Sequence, residues 1–389
     1  METKTKAKIL EKKWYLYLTE FFSGMSVMAV ELGASRLLAP YFSSSQIVWT
    51  IIIGTIMIAM ALGNVYGGRS ADKNPDPDKL YSRMLLASVW IAAIPFAGKL
   101  VIVAVSALLV VTINTNFLIW AAFLSCMIVF VYPLFLLGTV TPSLVKYTVS
   151  SLDDSGKTVG MLGAANTIGS IIGTFVPTFL SIPAVGTAAT FVIFSGILLL
   201  LALLYFISVK RGAVKLIVSV ILFTAASAAG LAFGFAFWEN NLTLEDESIY
   251  NYLQVSETDS RVSLSTNVLF GVQSVYIKDD ALTGMYYDYA LAAPMMLEQP
   301  YEDTSLLILG MGTGTYATQC RRYFDRMTIE GVEIDEKITD LAHTYFALDA
   351  DIPVTTYDGR AYLNVVGGTY DVIMVDAYQD ITIPFQMSS

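Results

Sequence analysis

The sequence predicts two modules, a multi-span α-helical membrane domain followed by an α/β domain that begins with a small β-unit. Three observations carry this reading. Segments of about 20 apolar residues, the length that crosses a bilayer, recur as far as Phe237. After Trp238 the composition changes abruptly, and ENNLTLEDESIYNYLQVSET replaces apolar runs with acidic and polar ones. Strand-like and helix-like stretches then alternate around a glycine loop, LLILGMGTGTYATQC, from Leu306 to Cys320.

The whole chain has 389 residues, a mean hydropathy of +0.61 and 14% charged residues, too apolar for an ordinary soluble protein. Its net charge of −10 is split unevenly. Residues 1–239 hold 16 Lys/Arg against 10 Asp/Glu, whereas residues 240–389 hold 7 against 23. An acidic C-terminal half argues against a nucleic-acid partner, which needs basic surface, and attracts cations such as polyamines. The 2 cysteines, Cys126 and Cys320, form neither a disulfide framework nor a metal-ligand spacing. The single histidine, His343, excludes a His-based triad and a multi-histidine metal site, and no metal is expected.

Taken in order, residues 1–14 form a basic N-terminus without a signal-peptide cleavage pattern, which is expected to be cytoplasmic. Residues 15–238 form the membrane domain. Spans are predicted near 15–39, 47–68, 80–98, 115–138, 159–182, 186–209 and 213–237, and the run from Leu100 to Val111 is either an eighth span or an interfacial helix. Seven spans leave Lys146, Lys157, Lys210, Arg211 and Lys215 on the cytoplasmic side, as the positive-inside rule prefers. Eight spans bring the C-terminal domain to the cytoplasm, where nucleoside cofactors are made, and that side is the one expected for it. Glu20 and Glu31 are 11 residues apart and share one face of the first span, with Arg36 near its end. Such groups are costly in a membrane; they either satisfy one another or line a cation-binding face.

Residues 239–300 read as a linker and a small antiparallel β-unit (RVSLSTNVLF, SVYIKDD) with a helix at YYDYALAAPMML. Residues 301–389 read as a parallel, doubly wound, Rossmann-like sheet that is incomplete at its C-terminal side, because the fourth strand, YDVIMVDAY, lies close to Ser389. Ligands of such sheets sit at the carboxyl ends of the strands, and four features fall there. Gly310, Gly312 and Gly314 let the chain turn tightly and a ligand approach closely. Glu333 ends strand two, where an acid grips ribose hydroxyls. Asp358, in YDGR with Gly359, follows strand three and is placed to accept from an adenine amino group. Asp376 ends strand four, beside the reacting groups. Tyr286, Tyr287 and Tyr289 either line an acceptor pocket through cation–π contact or pack the helix.

These motifs resemble the spermidine synthase (polyamine aminopropyltransferase) family, in particular its membrane-fused members, over residues ~245–389. ESIYNYLQV is similar to the family's entry strand, YYDYAL to the helix that follows, and LLILGMGTG, VEID, YDGRAYL and YDVIMVDAYQD to the rest of its site. GNVYGGRSADK and GMLGAANTIGSIIGTFVP resemble, more weakly, a loop and a glycine-rich helix of half a major facilitator superfamily transporter. The resemblance implies a class I methyltransferase-type fold, decarboxylated S-adenosylmethionine as co-substrate with no tightly bound cofactor, and a polyamine acceptor. Asp376 is implied to steer the attacking amine and take its proton. The glycine loop, with Thr313, would hold the donor, and Asn251, Tyr287, Asp288, Tyr378 and Asp380 the acceptor. Four positions depart from the family pattern. Thr313 stands where an acid holds the donor's amino group, Asn251 stands for a glutamine, Tyr289 takes the helix acid's place beside Asp288, and Asp380 comes one place late. Ile308, where ordinary methyltransferases carry an acid, favours the aminopropyltransferase branch. The rival readings are a polyamine or cation transporter or sensor with a degenerate adenosyl domain, and a membrane-anchored methyltransferase using S-adenosylmethionine. Expected partners are a lipid bilayer, a polyamine and an adenosyl donor, with homo-oligomerisation left open.

Overall fold

The computed structural model describes residues 9–10, 12–112, 116–148, 155–268, 271–279, 281–298, 301–324 and 326–377. The chain divides into two compact units, residues 1–237 and 238–389.

The first unit is helical. Its helices are α1 (Lys13–Phe42), α2 (Gln46–Lys73), α3 (Pro77–Ala93), α4 (Lys99–Thr112), α5 (Phe117–Gly138), α6 (Val140–Thr148), α7 (Ser155–Val176), α8 (Ile182–Val209) and α9 (Ala213–Ala232). Local chemistry sets several of these boundaries. The Ser45 hydroxyl accepts from the Val48 amide at the start of α2, and Asp76 caps α3, whose first residue is Pro77.

Six helices among the described residues are long and apolar enough to cross a membrane. Leu100–Val111 is not a separate helix among the described residues. It continues the helix that starts at Pro77, through a π-helical turn at Ile94–Gly98. Pro95 lacks the N–H that a regular turn needs, and the wider turn absorbs it without ending the helix.

The longest of the six, Ser155–Val209, holds 55 residues and reverses direction. Gly169 and Gly173 face the backbone of Phe21 and Met25, so α7 runs parallel to α1. Further on, Phe191 meets Gly33, Ser26 donates to the Phe194 carbonyl and Tyr15 donates to the Leu201 carbonyl, so α8 runs antiparallel to α1. The reversal falls at a π-helical turn, Pro177–Ser181, and at Gly186, whose φ of 82° suits glycine. Among the described residues the six candidate spans thus contain seven helical arms, and seven passes are the expectation. The last pass ends where Tyr41 donates to the Phe235 carbonyl at 2.8 Å, at the end of α1 away from Lys13. Labelling of single cysteines at Ser44 and Arg211 by a membrane-impermeant reagent is expected from opposite faces; labelling from one face would contradict seven passes.

Small residues let α1 and α7 approach closely. A Cβ at Gly173 would overlap the Met25 carbonyl oxygen and lie 2.8 Å from its carbon. Gly173→Leu is expected to separate the two helices and to lower thermal stability in detergent, by ~1–3 kcal/mol as overpacking does. Gly160→Leu, which points into open space on the same helix, is the control that should change little.

The second unit begins with an antiparallel sheet, β1 (Leu242–Glu247), β2 (Tyr252–Glu257), β3 (Arg261–Ser265) and β4 (Ser274–Ile277), in sequential order. The expected single helix at YYDYALAAPMML is two short ones, α10 (Tyr286–Ala290) and α11 (Ala292–Met295), with Leu291 at the junction and Pro294 within the second. Strands and helices then alternate: β5 (Ser305–Leu309), α12 (Thr315–Tyr323), β6 (Thr328–Glu333), α13 (Glu336–Tyr345), β7 (Val354–Thr356), α14 (Gly359–Val365) and β8 (Val372–Val375). They form a parallel sheet of order β7-β6-β5-β8.

The central strand β5 is apolar throughout because it is covered on both faces. Leu306 and Ile308 pack with Ala317, Cys320 and Ala342, while Leu307 and Leu309 pack with Val332, Tyr362 and Tyr370. The antiparallel sheet rests on the same framework. Leu253, Val255, Val262 and Leu264 bury against Ile338, Leu341 and Phe346, from α13 and its end.

Candidate active site

The strand order reverses at β5. The chain proceeds from β5 to β6 and β7 on one side, and β8 returns to the other. A crevice at the carboxyl ends of strands around such a reversal is where ligands of open α/β sheets bind. Gly310, with φ +79°, ends β5 there. A Cβ on it would sit 2.7 Å from the Asp376 carbonyl oxygen, so the glycine loop and the end of β8 touch through backbone. Gly312 and Gly314 also have positive φ. The Gly310 and Met311 amides both donate to the Val332 carbonyl, which seats the loop on the neighbouring strand.

Glu333 holds this loop from below. Its Oε2 accepts from the Gly312 amide at 2.8 Å, and its Oε1 accepts from the Asp335 amide at 3.1 Å. It is 7% exposed, and burial pushes its carboxyl above the ordinary value against the opposing pull of those amides. Thr313 is 1% exposed, and its amide donates to Ser274 of β4 at 3.3 Å. Its hydroxyl is buried without a hydrogen-bond partner. Thr315, the first residue of α12, clamps β4 twice, accepting from the Val275 amide and donating to the Val275 carbonyl, each at 2.9 Å.

Asp376 follows β8, and its amide donates to the Leu309 carbonyl at 2.9 Å. Its Oδ2 accepts from the Tyr286 hydroxyl at 2.5 Å. Burial raises the Asp376 carboxyl above its usual range, while the Tyr286 hydrogen bond and the nearby Tyr287 hydroxyl, which itself donates to the Gln273 carbonyl at 3.0 Å, pull the other way. Tyr287, buried beside it with ring centroids 4.2 Å from those of Tyr286, is pushed up to about 12 by burial and then by the Asp376 charge. A half-buried carboxylate is thus held by a phenol donor at the end of a strand, beside the positive-φ turn at Gly310.

The remaining expected residues are placed as follows. Asp358 caps α14, its Oδ1 accepting from the Ala361 amide at 2.8 Å, with Gly359 as the first residue of that helix. The Asn251 side chain donates at 3.1 Å to Asp335, whose same oxygen accepts from Ser248 at 2.5 Å and whose other oxygen caps α13. Asp288 caps a turn, accepting from the Thr283 amide and hydroxyl and from the Gly284 amide. Its slight burial works to raise its pKa, but these bonds outweigh it and hold the carboxyl low. Tyr289 is 84% exposed and away from Asp376's hydrogen bonds. Tyr378 and Asp380 lie outside the described residues. His343 is exposed on α13, and burial pushes the Cys320 thiol up to about 12.

Sequence reading missed Ser274, Thr315 and Asp335 as organisers of the loop. Asp335 carried a signal, since an Asp before an apolar-periodic run is a helix-cap candidate. The two hydroxyls carried none, because their partners are 40 and 39 residues distant along the chain.

No family model matches the chain. It is similar to a protein of Bifidobacterium longum named "Probable polyamine aminopropyl transferase", at 63% identity over 187 residues, 48% of this chain and 41% of that protein. A polyamine aminopropyltransferase of Vibrio vulnificus is 26% identical over 158 residues, 39% of this chain and 52% of its own length. One of Clostridium beijerinckii is 29% identical over 115 residues, 28% of this chain and 39% of that protein. The chain thus spans about half the length, or less, of the curated relatives it matches. Over that shared portion it is homologous to the polyamine aminopropyltransferases, the spermidine synthases.

Proposed function

We propose that the second unit is a Rossmann-like, spermidine-synthase-like domain carried by a multi-pass membrane protein. It transfers an aminopropyl group from decarboxylated S-adenosylmethionine to an amine of a polyamine such as putrescine. The observation that carries this reading is the position of Asp376, held by Tyr286 at 2.5 Å and touching Gly310 through backbone at the point where the strand order reverses.

In the reaction a neutral amine nitrogen attacks the carbon attached to the donor's sulfonium. A C–N bond forms, the C–S bond breaks, and a neutral adenosyl thioether departs. The protein's tasks are alignment of the two substrates and removal of one proton from the amine. Asp376 takes that proton, and Tyr286 orients its carboxylate. Gly310, Gly312, Thr313 and Gly314 cradle the donor, Glu333 accepts from its ribose hydroxyls, and Asp358 with Gly359 flanks its base. Tyr287 borders the acceptor. Asn251 acts through Asp335, and Asp288 shapes the turn before α10.

Mass spectrometry of products from the full chain, given both donors with putrescine and spermidine, tests the reading. An aminopropylated amine is expected. One observation favours a second reading, transfer of methyl from S-adenosylmethionine. The buried, neutral Thr313 stands where the family places an acid, so the site lacks that negative charge for the donor's amino group. A methylated product would establish that alternative, and no product from either donor would overturn both.

Glu333→Ala is expected to weaken binding of methylthioadenosine by ~1–3 kcal/mol, the cost of unmet buried polar groups. It should also lower thermal stability, because the Gly312 and Asp335 amides lose their acceptor. Calorimetry on the full chain separates the two effects; unchanged affinity with lowered stability would leave Glu333 a purely structural prop.

A further inference from the structure

Glu20 lies seven residues inside α1, about 10 Å along the helix at 1.5 Å per residue, and is 0% exposed. Its two oxygens are treated differently. Oε1 accepts from the Thr141 hydroxyl of α6 at 2.6 Å and from the Asn166 amide of α7 at 2.8 Å. Oε2 is buried with no hydrogen-bond partner.

That asymmetry fits one protonation state. A carboxylate shares its charge over both oxygens, and leaving one of them bare inside a membrane domain carries a large desolvation penalty. In a carboxylic acid the carbonyl oxygen accepts and the hydroxyl oxygen carries a proton. Two donors on Oε1 and none on Oε2 match the acid, and the remaining cost is that of one unmade neutral hydrogen bond.

The surroundings supply no compensating cation among the described hydrogen bonds. Of the elements packed against α1, α6 carries Lys146, which bonds to Asp72 of α2 at 2.8 Å, and Tyr147. On α7 the one charged residue is Lys157, which is exposed, as are Tyr66, Arg69 and Lys73 of α2. Tyr205, the titratable group of α8, donates to Asp78, and α5 contains no Asp, Glu, Lys, Arg or His. On α1 itself, the neighbouring Thr19 donates to the Tyr15 carbonyl and meets the Tyr81 hydroxyl of α3 at 3.2 Å.

We infer that Glu20 is a proton-binding site of the membrane domain, carrying its proton on Oε2 in this closed arrangement. Loss of that proton would leave a bare carboxylate oxygen between α1, α6 and α7. Ionisation therefore favours any arrangement of these helices that brings water to Oε2, and protonation favours the closed one. The site is independent of the chemistry assigned to the second unit.

Infrared spectroscopy of the full chain in liposomes at neutral pH tests this. A protonated-carboxyl C=O band is expected, absent in Glu20→Gln and retained in Glu31→Gln. Gln keeps a carbonyl acceptor for Thr141 and Asn166, which favours folding. Thr141→Val gives a second reading that keeps Glu20 itself, since losing one donor to the carbonyl should shift the same band to higher frequency. A wild type without the band, a band that survives Glu20→Gln, or one that ignores Thr141→Val would each overturn the assignment.

Discussion

Asp376→Asn is expected to preserve the fold and the affinity for an adenosyl thioether while lowering turnover by ~10²–10⁴, the usual worth of general-base catalysis. Asn retains an acceptor for the Tyr286 hydroxyl, so the contact that positions the side chain survives, but it cannot take the amine's proton. The pH dependence supplies a second readout. Burial raises the Asp376 carboxyl, and the neighbouring tyrosine hydroxyls only partly offset it. The ionised form is the base, so the wild-type rate should climb as pH rises through a value above the ordinary aspartate range of about 3.9. The Asn variant should lose that acidic limb. Asparagine substituting with full turnover would reduce Asp376 to a turn-capping residue.

Gly310→Ala is expected to damage stability and ligand binding together. An L-residue at φ +79° costs ~1–2 kcal/mol. The added Cβ also meets the Asp376 oxygen at 2.7 Å and the Ala377 Cα at 2.8 Å, and both are backbone atoms that cannot rotate away. Overpacking of this kind adds ~1–3 kcal/mol and pushes the end of β8 from the glycine loop. Gly284→Ala is the matched control, since it shares the positive φ of +72° but has open space around it. A larger loss of melting temperature and of methylthioadenosine affinity in Gly310→Ala than in Gly284→Ala is the expected result. Equal losses would mean that φ strain, and not the contact with Asp376, explains the glycine.

The division of the chain was legible because it is a matter of composition. Apolar runs ended near Trp238, and strand ends such as Glu333 and Asp376 followed from short buried runs bounded by polar residues. What the sequence hid depends on groups far apart along the chain. The run Leu100–Val111 was too short to place by itself, and a π-turn joins it to the helix that begins at Pro77. Asp288 was expected at the acceptor because the family resemblance places a helix acid beside it. Its oxygens accept from Thr283 and Gly284, in a local turn whose bonds no residue pattern announces. Glu20 and Glu31 share a helix face as the spacing required, but the partners of Glu20 are a threonine and an asparagine more than 120 residues away.

The double bond from Thr315 to Val275 has a mechanical meaning. One side chain grips both backbone groups of a strand residue, so the antiparallel sheet and the helix after the glycine loop are riveted at the site's rim. The burial of β2 and β3 side chains against α13 adds a second attachment farther along. With two attachments the sheets cannot hinge against each other without breaking one. The stretch around α10 is fastened to the same framework, by the Tyr316 hydroxyl on the Ala290 carbonyl and the Tyr287 hydroxyl on the Gln273 carbonyl as well as by Tyr286 on Asp376.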